Sequence, residues 1–229
     1  MLFSARDIDG GYGATHIVKN VSFDLDAGET LAVLGRNGMG KTTLLRTLVG
    51  LADRFAGEVR VDEQLLPARN PRALARLGIT YVPDDRGVFP RLTVAENIRL
   101  AGLSAYASSN LDVYALFPAL KGRADQPAGA LSGGQQQQLA IARALATGSR
   151  LLIVDELSQG LQPSIVQDLA EALRSVTHHG LALILVDQNP ELAMRICDRV
   201  MVMQRGEVVA AGATAALGAD PSFLDLLIV

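Results

Sequence analysis

Three short runs carry residue types suited to phosphate chemistry. The first, Gly35-Arg36-Asn37-Gly38-Met39-Gly40-Lys41-Thr42, fits Gly-x-x-x-x-Gly-Lys-Ser/Thr and continues into Thr43. Its glycines let the backbone curl until several N–H groups face one point, and that nest at a helix N-terminus binds phosphate oxygens. Lys41 is placed to neutralise β- and γ-phosphates, and Thr42 to put its hydroxyl on Mg²⁺. The second run, Leu151-Leu152-Ile153-Val154-Asp155-Glu156, is an apolar strand ending in two acids. Ligands sit at strand ends in parallel sheets. There Asp155 can hold Mg²⁺, and Glu156 can orient and polarise an attacking water. The third is Leu131-Ser132-Gly133-Gly134-Gln135, ahead of an apparent helix. Ser132, Gly133 and Gly134 offer N–H groups and a hydroxyl at that helix start, a second anion site.

These runs need strands and helices to hold them. Thr30–Leu34 reads as an apolar strand entering the glycine loop, and Thr42–Val49 as a helix closed by Gly50. Ile17–Leu25 alternates in part, and Asp26–Glu29 is a turn. A strand and turn are expected over 57–66, a helix over Pro71–Leu77 and a strand over Gly78–Val82. Helices are expected over Val94–Leu103, Val113–Leu120 and Gln136–Ala146. Strands return at Leu151–Val154, Ala182–Val186 and Val200–Gln204, with helices Pro163–Val176 and Pro190–Cys197 between them. Alternating strands and helices imply an α/β fold with a largely parallel sheet covered on both faces.

The 229 residues suit one large domain, or one domain with an inserted subdomain. The single cysteine, Cys197, excludes an internal disulfide and points to a reducing compartment. Met1–Asp7 lacks the pattern of a signal peptide, and no apolar run approaches the roughly 18 residues of a membrane span. A net charge of −3, with scattered arginines, argues against a nucleic-acid surface. No Asn-Lys-x-Asp run is present to read guanine.

The phosphate loop, Leu-Ser-Gly-Gly-Gln and the strand ending in Asp-Glu together resemble the ATP-binding cassette (ABC) ATPases, over essentially the whole chain. The resemblance implies a phosphate-loop fold with a small antiparallel β subdomain. The core would be 1–83 and 149–229, with 84–148 a helical subdomain carrying the signature. It implies ATP and Mg²⁺ as cofactors and a head-to-tail dimer, in which Ser132, Gly133, Gly134 and Gln135 cap the ATP of the partner. Tyr12 then lies where these ATPases place an aromatic on adenine. Gly35 to Thr43 bind the phosphates, and Thr42, Asp84 and Asp155 bind the metal. Lys41, Glu156 and Gln188 are the catalytic set. Tyr81–Pro90 corresponds to the segment that senses the γ-phosphate and lines the groove for a membrane partner, and Ser158–Gln162 to the dimer-contact loop.

The chain departs from the general family pattern at several of these positions. Asp84 replaces a glutamine, Gln188 a switch histidine, Leu157 a proline and Gln162 an aspartate. Gln188 can still donate to a phosphate without carrying charge. The run Val186-Asp187-Gln188-Asn189, together with Arg86–Ile98 and Gln135–Leu145, resembles the branched-chain amino acid uptake ATPases, a group that includes urea and amide importers. That implies a peripheral subunit on the cytoplasmic face of the inner membrane. Its partners would be a second ATP-binding subunit, permease subunits and, indirectly, an extracytoplasmic solute-binding protein. Two alternatives share the motifs: a soluble ABC ATPase acting on nucleic acid or ribosomes, and a regulatory nucleotide-binding module with weak catalysis. Stimulation by DNA or RNA marks the first, and tight ATP binding without turnover the second. Cys197 reads as a packed apolar-like residue, His178-His179 as an exposed loop and Phe223–Val229 as core packing.

Overall fold

The computed structural model describes residues 1–102 and 111–217. The chain runs β1 (Phe3–Tyr12), β2 (Thr15–Leu25), β3 (Thr30–Leu34), α1 (Lys41–Leu48), β4 (Asp53–Val61), β5 (Gln64–Leu65), α2 (Pro71–Arg76) and β6 (Ile79–Val82). Helices α3 (Val94–Ala101), α4 (Val113–Leu116), α5 (Pro118–Lys121) and α6 (Gly133–Ala146) follow. Then come β7 (Leu151–Asp155), α7 (Pro163–Thr177), β8 (Ala182–Val186), α8 (Pro190–Ile196), β9 (Arg199–Gln204), β10 (Glu207–Ala213) and α9 (Thr214–Leu217).

One sheet has the order β10-β9-β3-β8-β7-β6, parallel except for β10. A smaller antiparallel sheet has the order β2-β1-β4-β5. The large sheet divides two cores, because successive side chains of a strand point to opposite faces. Leu31, Val33, Ile153, Ile184 and Met201 face α1 and the small sheet. Ala32, Leu34, Val154, Leu185 and Val202 face α6, α7 and α8. Burial on both faces is why these strands read as continuous apolar runs.

The structure differs from the sequence reading at several boundaries. The expected helix Val113–Leu120 is two short helices. Pro118 disfavours a helical conformation in the residue before it, and Phe117 sits at φ −128°, ψ 73°. Helix α6 begins at Gly133 rather than Gln136, because Ser132 and Gln135 form a capping box. Strand β4 begins at Asp53, before the expected 57. Strand β10 was absent from the sequence reading. Its residues alternate between exposed and half-buried, so it has no apolar signature. The expected helix end at Leu103 and the segment Phe223–Val229 lie outside the described residues.

Candidate nucleotide site

Strand β3 delivers the chain into the glycine loop, and α1 leaves it. Gly35, Gly38 and Gly40 all have positive φ, which a side chain disfavours. Gly35 is the most constrained: a Cβ there would stand 2.4 Å from the carbonyl oxygen of Met203 on β9. The β9–β10 turn braces the loop from outside, with Gly206 N–H donating to the Met39 carbonyl (3.0 Å). Gly40 caps α1 without a side-chain acceptor, so the first-turn N–H groups are left to a ligand.

Lys41 is only 4% exposed. Its ammonium donates to the carbonyls of Gly35 (2.7 Å) and Arg36 (2.9 Å), folded back over the loop. Burial pulls its pKa down, opposed by the charges of Glu156, Asp155 and Asp187. Thr42 donates its hydroxyl to Asp155 Oδ1 (3.1 Å), and Tyr81 donates to Asp155 Oδ2 (3.2 Å). Asp155 is fully buried. Desolvation pushes its pKa up to about 6; the Thr42 and Tyr81 hydrogen bonds oppose that, while the charges of Asp84 and Glu156 reinforce it. Thr43, on the same helix turn, is buried.

Glu156 follows Asp155 in the left-handed region, at φ 51°. Its N–H is tied to the Val186 carbonyl (2.9 Å), which fixes the bend that swings it off the strand. From the end of β8, Gln188 Nε2 donates to Asn37 Oδ1 (2.7 Å), joining the loop after β8 to the glycine loop. Asp187 accepts from the N–H groups of Ser158, Gln188 and Asn189 and from the Ser158 hydroxyl.

Asp84, expected at the metal, pairs with Arg46 on α1 (3.1 Å). Tyr12, at the end of β1, is 42% exposed, and it helps to raise the pKa of the same Arg46 guanidinium. Ser132 accepts from the Gln135 N–H (3.3 Å), while Gln135 Oε1 accepts from the Ser132 N–H (3.1 Å). A Cβ on Gly133 would press on the Arg86 guanidinium (3.2 Å), and one on Gly134 on Ile165 of α7 (3.1 Å). Among the described residues no hydrogen bond joins Ser132–Gln135 to the phosphate loop. Arg46 carries no signal in the sequence, and Tyr81 and Asp187 stand out only as members of the runs Tyr81–Pro90 and Val186–Asn189. Tyr81 and Asp187 flank expected strand ends, which is the available signal; Arg46 sits in an ordinary helical run.

A phosphate-cradling loop between β3 and α1, with a carboxylate pair at the end of β7, defines a phosphate-loop nucleotide-binding domain. The family model described as "ABC transporter" matches residues 18–159. Over 218 residues the chain is 38% identical to the high-affinity branched-chain amino acid transport ATP-binding protein BraG of Pseudomonas aeruginosa, spanning 93% of this chain and 94% of that protein. It is 37% identical to the Nod factor export ATP-binding protein I of Burkholderia orbicola, over 93% of this chain and 71% of that one. The solved structure of an ATP-binding subunit of an ABC transporter superposes with a TM-score of 0.84 at 28% identity, covering 100% of this chain and 98% of that one. The chain belongs to the ABC transporter family, as an ATPase of the kind that hydrolyses ATP to power transport. No helix among the described residues is long and apolar enough to cross a membrane.

Proposed function

We propose that this chain is the ATP-hydrolysing subunit of a membrane importer for branched-chain amino acids or related small polar solutes. The observation that carries the nucleotide site is the contact of Thr42 with buried Asp155, beside a lysine folded into its own glycine loop. The likeness to BraG and the run Val186–Asn189 support the solute class.

Thr42 and Asp155 suit Mg²⁺, since both are hard oxygen donors and a desolvated carboxylate gains by meeting a cation. Bound there, Mg²⁺ would neutralise phosphate charge. The N–H groups of Gly35 to Thr43 hold the phosphates, and Lys41 swings from the carbonyls of Gly35 and Arg36 to the β- and γ-oxygens. Glu156 orients and polarises the attacking water. Gln188 donates to the γ-phosphate after leaving Asn37, and Tyr12 stacks on adenine. Ser132–Gln135 meet the ATP of a second copy or sister subunit, in a head-to-tail dimer.

The permease would seat a cytoplasmic helix in a groove of about 530 Å³ lined by residues including Leu51, Leu74, Tyr81, Leu100 and Thr147. The subunit would then lie on the cytoplasmic face of the membrane, with the solute-binding protein contacting it only through the permease. The test is co-purification with tagged candidate permeases, then ATPase assay of the reconstituted complex with branched-chain amino acids and the binding protein. Stimulated turnover is expected. Stimulation by DNA or RNA, with no permease bound, would sink the importer reading.

A further inference from the structure

Asp84 brings a third carboxylate close enough to raise the pKa of Asp155, alongside Glu156. A triphosphate adds more negative charge to the same pocket, and Lys41 is the cation folded into the loop. Where the family usually has a neutral glutamine, this chain has an acid, so its charge must be met.

The residue that meets it is Arg46. It lies on α1, five positions beyond Lys41, and its Nη2 donates to Asp84 Oδ1 at 3.1 Å. Both side chains are partly exposed, so the contact is judged by geometry rather than by energy. The same guanidinium has its pKa raised by Tyr12 and Tyr81. Tyr81 donates its hydroxyl to Asp155 Oδ2 at 3.2 Å, and Thr42 donates to Asp155 Oδ1. The two aspartates are therefore held by different partners: Asp155 by two hydroxyls, Asp84 by a guanidinium.

We propose that Arg46 is a positioning residue that keeps Asp84 paired and off the nucleotide's cation, leaving that cation to Thr42 and Asp155. The Arg46–Asp84 pair has no net charge, as a glutamine has none, and it ties the helix after the phosphate loop to the start of the segment 84–148. The inference rests on the nucleotide-site reading above. Removing the guanidinium frees a carboxylate beside the phosphates. The cation then gains a ligand, and cation-free nucleotide meets an uncompensated charge.

The test uses the full chain with Mn²⁺ as the cation and ADP as the nucleotide. Mn²⁺ binding is read by electron paramagnetic resonance and cation-free ADP binding by calorimetry, after melting curves show that each variant folds. Arg46→Gln is expected to tighten Mn²⁺ binding and weaken cation-free ADP binding, each by about tenfold, the lower end of what outer-shell partners do to a metal. Asp84→Asn is expected to change Mn²⁺ affinity by less than about threefold, and the double variant to lie near wild type, since coupled residues are not additive. A tenfold or greater loss of Mn²⁺ affinity in Asp84→Asn would make Asp84 a ligand and overturn the proposal. Additive effects in the double variant would overturn it too. If Arg46→Gln does not fold, the Asp84→Asn arm decides alone. Wild-type chain that binds no ADP at all would remove the site reading itself, a result distinct from either.

Discussion

Asp187 accepts both the backbone N–H (2.8 Å) and the hydroxyl (2.7 Å) of Ser158. One buried carboxylate thus joins the loop after β7 to the loop after β8. Because the neighbouring Gln188 reaches Asn37, the glycine loop, the loop after β8 and the loop after β7 form one hydrogen-bonded unit.

Asp187→Ala leaves four donors without their acceptor, in a place where Asp187 itself is 2% exposed. Hydrogen bonds to charged groups are worth roughly 1.5–3 kcal/mol, and buried unmet donors cost more. The expected loss is on the order of 3 kcal/mol in urea unfolding of the nucleotide-free chain. Amide exchange at Ser158 and Gln188 should quicken with it. Unchanged exchange at both would show that the two loops are not coupled through Asp187.

The glycines of the phosphate loop should not respond alike. A methyl on Gly35 meets the Met203 carbonyl, while one on Gly38 meets open space. Gly38→Ala should cost about 1–2 kcal/mol, the penalty of a left-handed residue. Gly35→Ala adds a backbone collision, for which overpacking costs suggest roughly 1–3 kcal/mol more. Thermal or urea melts of the two variants, measured side by side, test the ranking.

The local backbone of the glycine loop, the β7 end and the Ser132 cap was legible because short-range rules fix it. Glycines at fixed spacing, an apolar strand before Asp155 and a Ser132 cap each specify local backbone, whatever the rest of the chain does. The contacts were not legible, because they join residues far apart in sequence. Arg46 meets Asp84, 38 positions on, and Ser158 meets Asp187, 29 positions on. Nothing in a helical run such as Leu44-Leu45-Arg46-Thr47 marks which residue will face a loop. Strand β10 escaped notice for a related reason: its order comes from pairing with β9, not from a buried face.

Asp155 makes the stability of the nucleotide-free chain pH-sensitive. Its folded pKa, about 6, lies above the roughly 3.9 of an unfolded aspartate. The native state therefore holds this proton to higher pH than the unfolded chain. The resulting stability is complete below about pH 4 and is lost as pH rises through 6. Asp155→Asn should thus stabilise the nucleotide-free chain at pH 7.5 by up to about 3 kcal/mol, from 1.36 kcal/mol per unit, and by almost nothing near pH 4. With Mg²⁺ and nucleotide added, the order at pH 7.5 should reverse, since only wild type offers the carboxylate. Melting temperatures of both proteins across pH, with and without MgADP, give the answer.

Glu156 tests the chemistry apart from the binding. Glu156→Gln keeps the shape and the left-handed backbone but removes the proposed base, and general-base catalysis contributes roughly 10²–10⁴ in rate. Turnover should fall at least a hundredfold, toward the low end of that range, with ATP affinity nearly unchanged. Equal turnover in both proteins would mean that the water is activated elsewhere. A second variant separates strain from chemistry. At φ 51° a glutamate pays a backbone cost that glycine does not, set against glycine's greater freedom when unfolded. Glu156→Gly should therefore match or exceed wild type in stability by up to about 1 kcal/mol while losing turnover. A variant that gains stability as it loses activity would locate the strain at the proposed catalytic position, where the chain turns off the end of β7.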